Sequence, residues 1–581
     1  MKSNNKARVL VLDADMVPAL TIARSLSRKD CDVSVASHTV RPLTSYSRAV
    51  RTCFQYPDPL SATEGFVDWL LTHLQNQPYD LIIPVTERTL LAISKNQQRF
   101  EHVKIAMPDM RSLDIALDKA KTLDLADRVG VPRPLGVSLV SLDELAQLES
   151  QLRYPVVLKP ARSIGSAEGE ASQLQVSYAF DENELKSGCA HALRFGPVLL
   201  QEYFPGVGVG IELIAKQGTI LYAFQHLRLH EVPLTGGGSS LRKSEPVMQQ
   251  LLEASEKLIA ALDWNGVAMV EFKMNPETQE FSLMEINGRF WGSLPLAVAA
   301  GADFPSMLLD MELNRAERPY GPYRNNIYCR LLSRDLHWYE AILRGGADKR
   351  IARVPSGTAV LRELGLFFSF GHRFDVQSLR DPAPGLIDVG RILQTYLRRM
   401  QALIEEKRFY SHQRKAWKTG KVSRVVAGAK SMLFLCYGNI NRSALADAMV
   451  RAYAEDSGIA VVSAGFHEEA GRPPDPIMVE VAGQFGLPMG HMLSSHVTPQ
   501  MLKDSDIIFV MEKSHYDKVL KVDAEISDKV YLLGAHTSSH GWPAEIVDPY
   551  GRAKEYYFAC YERIAEAVDN LKAMMAIRSS D

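Results

Sequence analysis

The stretch SMLFLCYGNINRSALADAMV, from Ser431 to Val450, places a lone cysteine between an apolar run and an alanine-rich run. The first run is typical of a buried strand, and the second has the composition of a helix. A thiol in the loop between them lies near a helix N-terminus, where backbone amides and the helix dipole favour a thiolate. The pattern predicts a strand, a loop and a helix that begin a separate α/β domain late in the chain.

The residues that follow Cys436 decide between two interpretations of this thiol. A lone cysteine behind an apolar strand is more often a small buried side chain than a nucleophile. Here, however, Arg442 can hold a phosphate through two parallel hydrogen bonds, and Ser443 can donate a hydrogen bond to the sulfur. Together they predict an anion-binding loop with a nucleophile at its base.

The motif CYGNINRS resembles the phosphate-binding loop of low-molecular-weight protein tyrosine phosphatases. The resemblance extends over residues 431–575, through SAG, DIIFVME and DPYG. It implies that Cys436 attacks phosphorus while Asp548 protonates the leaving oxygen as general acid. It also implies that Asn439 braces the loop, that Ser443 activates the thiolate and that the arginine of the motif binds the phosphate oxygens.

Three positions distinguish this loop within the family that it resembles. Asn441 stands where many members have a second cysteine, so no protective disulfide with the nucleophile is expected. Tyr437 replaces a small aliphatic residue and is expected to alter the pocket mouth, which Tyr550 helps to line. Ile440 matches the members that prefer phosphotyrosine. The expected substrate is a phosphorylated protein or a small phosphomonoester.

The length and composition of the chain limit the number of domains, the partners and the cellular location to be expected. Its 581 residues exceed what one hydrophobic core organises, so two to four domains are expected. A net charge of -2 gives no general attraction to nucleic acid, and six scattered cysteines fit a reducing compartment. The N-terminal segment lacks a signal-peptide core, and no apolar run has the length of a membrane span. These features predict a cytoplasmic protein without stable membrane insertion and leave an oligomer open.

The N-terminal residues predict a parallel α/β domain. The stretch ARVLVLDADMVPALTIARSLSRKDCDVSVAS has the pattern of strand, helix and strand, and YDLIIPVTERTLLAISKN repeats the strand and helix near residue 80. The glycine-rich turn of a dinucleotide site does not follow the first strand. A structural domain, Rossmann-like in outline, is therefore expected.

Oxygen-bearing side chains occur near the ends of two further strand-like runs. Glu271 closes VAMVEF, and MEINGR places Glu285, Asn287 and Arg289 on one face of the following strand. Two carboxylates and an amide oxygen form a set that suits Mg²⁺. Lys159 precedes a loop rich in glycine and serine, whose amides suit phosphate groups. The combination predicts a nucleotide site.

Each of these elements has a plainer interpretation when taken alone, because glycine-rich loops are common hairpins and strand-end glutamates are usually solvated. Their joint order over residues 1–315 resembles the ATP-grasp superfamily. The resemblance implies an ATP-grasp module made of a Rossmann-like N-terminal domain and two α+β lobes. A helical linker and a small α/β phosphatase domain with a parallel sheet would follow. The implied reaction is phosphorylation of a carboxylate by ATP, followed by displacement of phosphate by an amine.

The ATP-grasp resemblance also implies a set of site residues. A lid from Ser163 to Gly169 would cover the phosphates, whereas the carboxylate that often holds the ribose has no counterpart before Glu212. The loop HLRLHEVPLTGGGSSLRKSE offers Arg242, Ser239 and Ser240 for a substrate carboxylate. The implied residues are Lys119, Lys159, Ser163, Gly165 and Ser166 for the ATP phosphates, Gln201, Glu202, Tyr203 and Phe204 for adenine, Glu271, Glu285 and Asn287 for Mg²⁺, and Arg289 for the acyl-phosphate.

Four regions are expected along the chain. They are an α/β domain (1–110), an ATP-grasp domain (111–315), a mixed and helical basic linker (316–430) and the phosphatase-like domain (431–575). The end of the linker holds ten basic and two acidic residues, which favours a solvated helix over a membrane-surface or acidic-partner segment.

Two functions are compatible with this organisation. The first is a bifunctional enzyme that uses ATP and Mg²⁺ to ligate small-molecule carboxylates and amines and also hydrolyses phosphomonoesters. The alternative is a phosphatase that is regulated by an ATP-binding, catalytically weak ATP-grasp module.

Overall fold

The computed structural model describes residues 6–148, 152–160, 164–167, 170–173, 176–315, 320–345, 350–352, 354–454, 458–536 and 544–576. They divide into two compact units, Met1–Leu393 and Gln394–Asp581. The α/β fold class expected from the sequence is confirmed. The division into four regions stays a prediction.

The first unit begins with alternating strands and helices. These are β1 (Arg8–Val11), α1 (Val17–Arg28), β2 (Asp32–Ser37), β3 (Thr52–Gln55), α2 (Thr63–Asn76), β4 (Leu81–Ile83), α3 (Glu87–Ser94), α4 (Met110–Leu117) and α5 (Lys119–Val129). The strands form a parallel sheet in the order β3-β2-β1-β4. Because helices cover both of its faces, the central strands β1 and β2 are buried after their first residues. The parallel pairing predicted for β1 and β2 is confirmed.

The turn after β1 carries a carboxylate instead of glycine. Asp13 is buried, and its Oδ2 accepts hydrogen bonds from the backbone of Thr86 at 2.8 Å and from Thr89 Oγ1 at 2.6 Å. Asp13 therefore acts here as a structural link between β1 and α3.

A smaller antiparallel layer follows. It contains β5 (Gly136–Leu139), α6 (Leu142–Leu148), β6 (Val156–Pro160), β7 (Ile164–Ala167), β8 (Glu170–Gln173), β9 (Ser177–Ala179), α7 (Glu182–Ala192) and β10 (Val198–Glu202). The sheet order is β5-β10-β6-β9, and β7 and β8 form a separate antiparallel pair. This pair occupies the region predicted as the phosphate lid.

The third sheet of the first unit has seven strands. Its segment contains β11 (Val207–Lys216), β12 (Thr219–Val232), β13 (Gly238–Glu245), α8 (Gln249–Ala261), β14 (Gly266–Met274), β15 (Phe281–Asn287), α9 (Leu294–Ala300), α10 (Phe304–Glu312), β16 (Tyr328–Arg330), α11 (Leu332–Arg344), α12 (Gly357–Leu364) and β17 (His372–Phe374). The order is β15-β14-β11-β12-β13-β16-β17. Strands β16 and β17 lie in the region predicted as linker, yet β16 pairs with β13 and extends this sheet.

The second unit follows a long helix, α13 (Pro382–Lys418), that crosses the division between the units. Its elements are α14 (Lys421–Gly428), β18 (Ser431–Cys436), α15 (Arg442–Ala454), β19 (Ala460–Gly465), α16 (Pro476–Gln484), α17 (Pro499–Asp504), β20 (Ile507–Val510), α18 (Lys513–Val522), β21 (Val530–Leu532) and α19 (Lys554–Ala576). The strands form a parallel sheet in the order β19-β18-β20-β21. The strand, loop and helix predicted around Cys436 are confirmed.

The C-terminal end of α13 belongs to the core of the second unit. Trp417 is 6% exposed, and its indole nitrogen donates a hydrogen bond to the carbonyl oxygen of Leu532 at 3.0 Å. Earlier on the same helix, Leu397, Met400 and Leu403 are all more than half exposed. The basic stretch is therefore solvated over its first part and packed at its end.

The helices of the described residues were compared with the length and composition of a membrane span. Among the described residues no single helix has both the length and the apolar composition of a span, and α9 and α10 reach it only as a pair bent by 91°.

Candidate active sites

The thiol of Cys436 lies at the carboxyl end of β18, one of the two central strands of the parallel sheet. The side chain is buried. Its Sγ is 2.9 Å from Ser443 Oγ and accepts a hydrogen bond from the backbone nitrogen of Asn439 at 3.2 Å. A sulfur at the N-terminal end of a helix, within hydrogen-bond distance of a backbone amide and a hydroxyl group, is in the surroundings typical of a reactive cysteine. The geometry therefore suits a nucleophile.

The loop between β18 and α15 is held by Asn439. Its φ of 53° is left-handed, a conformation that asparagine tolerates better than most residues. Asn439 Nδ2 donates to Ser443 Oγ at 2.9 Å, and Oδ1 accepts from the backbone nitrogen of Ser495 at 2.8 Å. Gly465 must remain small, because a Cβ there would lie 2.6 Å from the carbonyl oxygen of Tyr437. These contacts keep the loop wrapped around the sulfur.

Arg442 connects the loop to the opposite wall of the site. Its guanidinium forms ion pairs with Glu512 and, at 2.5 Å, with Asp548 Oδ2, and it donates to the carbonyl oxygen of Ile546 at 2.9 Å. Burial opposes its charge, but Cys436, Asp548 and Glu512 outweigh burial and raise the pKa of Arg442. Arg442 therefore stays positively charged beside the thiol.

The nitrogen Nε of Arg442 is buried and has no hydrogen-bond partner among the described residues. An unsatisfied buried donor is costly, and an anion in the loop could satisfy it. This orphaned donor therefore fits a phosphate-binding site.

Asn441 contributes to the structure of the loop. Its Nδ2 lies 3.4 Å from Asp475 Oδ2, and the same carboxylate oxygen accepts a hydrogen bond from the Tyr557 hydroxyl at 2.8 Å.

Cys560, on α19, is also buried in this domain, and burial raises its pKa to about 12. A thiol with so high a pKa remains protonated and reacts poorly with oxidants.

Aromatic side chains surround the entrance to the loop. Tyr437 is 49% exposed, and the ammonium nitrogen of Lys518 lies 4.7 Å from the centroid of its ring. Tyr550 is 66% exposed. Burial, assisted by Arg442 and Lys518, lowers the pKa of His515 to about 3, so this imidazole stays neutral. The fixed cations near the entrance are therefore lysine and arginine.

A cavity of about 270 Å³ lies in the first unit. It is lined by residues from α5, β6, β10, β12, β14 and β15, so it brings together the ends of two different sheets. The lining residues predicted from the sequence are Lys119, Lys159, Gln201, Glu202, Tyr203, Phe204, Glu271 and Glu285.

Two carboxylates meet in this cavity. Glu271 on β14 lies opposite Glu285 on β15 in an antiparallel pair, which confirms the predicted adjacent strands. Burial raises the pKa of Glu271, against the attraction of Arg228. Burial also opposes ionisation of Glu285, but Lys119 and the hydrogen bond from Asn287 outweigh it and lower its pKa. Two buried carboxylates in one site attract a cation.

The cationic side of the cavity includes Lys159. Burial lowers the pKa of Lys159 to about 8, while Glu285 acts in the opposite direction. The ammonium group is thus charged at neutral pH, but it loses its proton at a lower pH than a solvated lysine does. A phosphate bound beside it would stabilise the charged form.

The wall from β10 carries an orphaned polar atom. Gln201 is 2% exposed, and its Oε1 has no hydrogen-bond partner among the described residues. A ligand with a donor group, such as an exocyclic amine, could satisfy this acceptor. The lining therefore fits a nucleotide base next to a phosphate-binding region.

Comparison with known proteins identifies the second unit. Residues 431–579 match the family model "Low molecular weight phosphotyrosine protein phosphatase". The chain is 32% identical over 131 residues to the probable low molecular weight protein-tyrosine-phosphatase AmsI of Erwinia amylovora, and it covers 87% of that protein and 22% of its own length. The chain belongs to the low molecular weight phosphotyrosine protein phosphatase family.

The part of the chain that precedes the phosphatase domain has different relatives. Residues 194–330 match the family model "ATP-grasp in the biosynthetic pathway with Ter operon", so this region is an ATP-grasp domain. The chain is 22% identical over 287 residues to the carbamoyl phosphate synthase large chain of Clostridium acetobutylicum, covering 47% of its own length but only 26% of that protein. The crystal structure of the L-amino acid ligase from Bacillus licheniformis aligns with 55% of this chain and 78% of its own at 16% identity, with a TM-score of 0.44. ATP-grasp ligases and low molecular weight phosphatases are both enzymes.

Two residues predicted for the ATP-grasp site occupy positions outside the cavity lining. Asn287 Nδ2 donates a hydrogen bond to Glu285 Oε1 at 3.0 Å, so it contacts this carboxylate without lining the cavity. Arg289 lies beyond the end of β15, so strand alternation does not set its direction. Its guanidinium donates to the carbonyl oxygen of Phe290 at 2.9 Å and lies 3.4 Å from Glu87 Oε1.

The predicted phosphate lid is only partly described. Gly165 and Ser166 lie on β7, whereas Ser163 lies outside the described residues. Glu212, the first carboxylate after the β10 segment, is fully buried and accepts a hydrogen bond from Ser293 at 2.6 Å. It is therefore part of the protein core.

The structure also assigns polar residues that the sequence patterns did not reveal. Arg228 forms ion pairs with Glu271 and Glu231 inside the ATP-grasp cavity. Glu512 orients the phosphatase arginine Arg442. Arg228 lies on β12 and Glu512 follows β20, and neither belongs to a recognisable motif. Their ion-pair partners Glu271 and Arg442 come from distant segments, so only the tertiary structure reveals them. Lys273 also lines the cavity and could have been suggested by its position two residues after Glu271.

Proposed function

We propose that the ATP-grasp part catalyses ligation of a small-molecule carboxylate to an amine with ATP and Mg²⁺. The observation that carries this proposal is the pairing of Glu271 with Glu285 in a cavity that Lys119 and Lys159 also line. A cavity with both carboxylates and lysines can bind a divalent cation and a polyphosphate at the same time. The guanidinium of Arg228, paired with Glu271, already places a positive group against these carboxylates.

In this proposal each group of residues has a defined task. Lys119 and Lys159 bind the ATP phosphates, the β7–β8 pair covers them, and the β10 segment from Gln201 to Phe204 contacts adenine. Glu271, Glu285 and Asn287 would hold Mg²⁺, which supplies charge neutralisation at the transferred phosphate when it is bound. The substrate carboxylate attacks the γ-phosphorus and releases ADP, and the amine then displaces phosphate from the acyl-phosphate. We retain Arg289 as a candidate for steadying the acyl-phosphate after a change of its rotamer.

We further propose that the phosphatase domain hydrolyses phosphomonoesters in two displacements. The Cys436 thiolate attacks phosphorus while Asp548 protonates the leaving oxygen, and water then attacks the cysteinyl-phosphate with Asp548 as base. Arg442 and the loop amides hold the equatorial oxygens, while Ser443 and Asn439 stabilise the thiolate and the loop. The substrate is a phosphotyrosine-like group on a protein or a small phosphomonoester.

The test of the ligase proposal is release of ADP by the full chain. Purified protein would be incubated with ATP, Mg²⁺ and a panel of carboxylates and amines, and nucleotides would be separated by chromatography. The proposal expects ADP that depends on both a carboxylate and an amine. Release of AMP, or ADP formation that ignores the panel, would contradict it.

A second function is favoured by the position of Arg289, which contacts Glu87 instead of the cavity. In this alternative, the ATP-grasp part binds ATP but turns it over little and regulates the phosphatase. Tight ATP binding with negligible ADP release, together with a change in aryl phosphate hydrolysis on adding ATP, would distinguish this function. Under either function we propose a cytoplasmic location, the four-region division given above, and no nucleic-acid partner.

A further inference from the structure

The end of the long helix α13 packs against the rest of the second unit through one of its faces. Gln413, Ala416 and Trp417 are buried there. The Gln413 side chain accepts a hydrogen bond from the backbone nitrogen of Leu532 at 2.9 Å, and Trp417 donates one to the carbonyl oxygen of the same residue at 3.0 Å. Because residues three and four positions apart share a face of a helix, these contacts define its inward side.

A row of exposed side chains follows the opposite side of the same helix. Its members are spaced alternately by three and four residues, so they lie one above another along the helix. Ser411 belongs to this row and precedes Gln413 by two residues, which is slightly more than half a turn. We call it the outward row, and its exposed members are Leu397, Met400, Ile404, Lys407, Ser411, Arg414 and Lys418.

The first part of the outward row is apolar. Leu397, Met400 and Ile404 are each about half exposed, and Leu403, beside the row, is 63% exposed. Every residue from Leu397 to Arg408 is exposed, so none of the described elements buries this part of the helix. Single exposed apolar side chains are common, but a contiguous group of them marks an interaction surface.

The rest of the outward row is basic. Glu405 and Glu406 follow Ile404 by one and two residues, so they project away from the row. The basic side chains that lie on the row or directly beside it are exposed and have no carboxylate partner in the described part of the chain; they are Lys407, Arg408, Arg414, Lys415 and Lys418. The outward face of the helix therefore joins an apolar part to a strongly positive part.

A second copy of the chain fits this face poorly. A coiled coil needs apolar residues at these spacings over about three or more heptads, whereas basic residues take their place after Ile404. Two copies would also bring like charges together. Nucleic acid would pair with the basic part but would leave the apolar part in water. The partner has to satisfy both parts of the face at once.

A lipid bilayer with anionic headgroups satisfies both parts. A helix that lies in the interface inserts its apolar side chains at the boundary between headgroups and acyl chains. Lysine and arginine keep their charged ends among the lipid phosphates while their stems cover apolar surface. We propose that the outward row docks the second unit on an anionic lipid surface, with α13 lying in the plane of that surface. This role is separate from the ligase and phosphatase activities.

The test is cosedimentation of the full chain with lipid vesicles. One set of vesicles contains equal parts of phosphatidylglycerol and phosphatidylcholine, and the other contains phosphatidylcholine alone. Wild type is expected to bind the anionic vesicles at least about 10-fold more tightly, because each basic side chain at the surface contributes about fivefold in affinity. Added salt should weaken this binding, since it screens the attraction.

Two pairs of variants separate the contributions of charge and apolar surface. Lys415→Glu should weaken binding to the anionic vesicles by about 10-fold or more. Its control, Arg398→Glu, makes the same change of net charge at a residue that follows Leu397 by one position and projects away from the row, and it should change binding by less than about threefold.

The variant that carries both Leu397→Ser and Ile404→Ser should bind about 10- to 100-fold more weakly, because two apolar side chains no longer enter the bilayer. Leu493→Ser removes an exposed apolar side chain elsewhere in the second unit and should bind as wild type does. Circular dichroism verifies that each variant is folded.

Three results would overturn the proposal. The first is equal binding of wild type to both sets of vesicles, or binding to neither. The second is an equal loss in Lys415→Glu and Arg398→Glu, which would reflect net charge alone, or wild-type binding by the double serine variant. The third is a wild type that ignores vesicles and sediments as a dimer that the double serine variant no longer forms, which would identify a second copy as the partner.

Discussion

Glu271 on β14 lies opposite Glu285 on β15, and both carboxylates line the cavity that Lys159 closes from β6. Burial favours the neutral form of each carboxylate, yet nearby cations lower the pKa of Glu285. The result is an asymmetric pair in which Glu285 is the more firmly ionised member. This asymmetry makes Glu285 the residue whose loss should be felt most by a bound cation.

Replacement of Glu285 by Gln should abolish carboxylate-dependent ADP formation, with a decrease of at least about 100-fold, because one charged cation ligand is lost. Aryl phosphate hydrolysis by the same protein should not change. The control is Glu277→Gln, which alters an exposed carboxylate in the turn between the same two strands. Equal ADP formation by Glu285→Gln and wild type would rule out this carboxylate as a ligand.

ATP affinity should weaken as the pH rises above about 8. Burial lowers the pKa of Lys159 to about 8, so the ammonium group is charged below this pH and neutral above it. A neutral lysine no longer attracts phosphate. Lys159→Arg should remove this pH dependence, because the guanidinium stays protonated.

The measurement is the dissociation constant of ATP between pH 7 and 9.5. Lys121→Arg serves as the control, since Lys121 lies on the same helix as the predicted phosphate ligand Lys119 but pairs with Asp114. It should keep the wild-type profile. Identical profiles for wild type and Lys159→Arg would show that another group controls the pH dependence.

Cys436→Ser should eliminate hydrolysis of p-nitrophenyl phosphate, because serine is a far weaker nucleophile than a thiolate. Carboxylate-dependent ADP formation should persist. Cys560→Ala is the matched control, because burial raises the pKa of Cys560 to about 12 and keeps that thiol unreactive. Hydrolysis by Cys436→Ser at the wild-type rate would show that another residue is the nucleophile.

Glu512→Ala should lower kcat/KM for p-nitrophenyl phosphate by about tenfold, the effect of losing one charged hydrogen bond that orients Arg442. The loss should appear mainly in KM, because Arg442 binds the phosphate oxygens. Glu525→Ala changes an exposed carboxylate of the same domain and should leave both constants unaltered. A wild-type KM for Glu512→Ala would mean that Asp548 and Ile546 suffice to hold the guanidinium.

Trp417→Ala should lower the free energy of unfolding of the phosphatase unit by about 3–5 kcal/mol, the usual cost of removing a buried aromatic ring. Loss of aryl phosphate hydrolysis in urea would follow this transition. Leu403→Ala, on the exposed part of the same helix, should change stability by less than about 0.5 kcal/mol. If both variants matched wild type, the end of α13 would not belong to the folded core.

Features formed by residues that are close together in the sequence were predictable. An apolar strand, a loop with Cys436 and Arg442, and a following helix are contiguous, so their relation depends on backbone geometry over a few residues. The same holds for the hairpin that carries Glu271 and Glu285. Motifs of this kind can be identified from a sequence because short-range geometry leaves few alternatives.

Contacts between distant segments were not predictable in the same way. The match of Arg442 with Glu512 joins residues 70 positions apart, and β16 joins a sheet from a region with the composition of a linker. Arg289 follows the end of β15, so the alternation that oriented Glu285 no longer applied to it. Such pairings depend on how whole elements pack, which local propensity does not encode.

The sequence by itself determined the two kinds of chemistry, because a thiolate loop and a pair of strand-borne carboxylates require particular residues at short spacings. Only the tertiary structure decided which carboxylate each arginine meets. Arg242 is buried against Asp375, whereas Arg228 pairs with Glu271 in the nucleotide cavity. The physical reason is that the effective charge of a side chain depends on its neighbours in space, and these come from segments far apart in the chain.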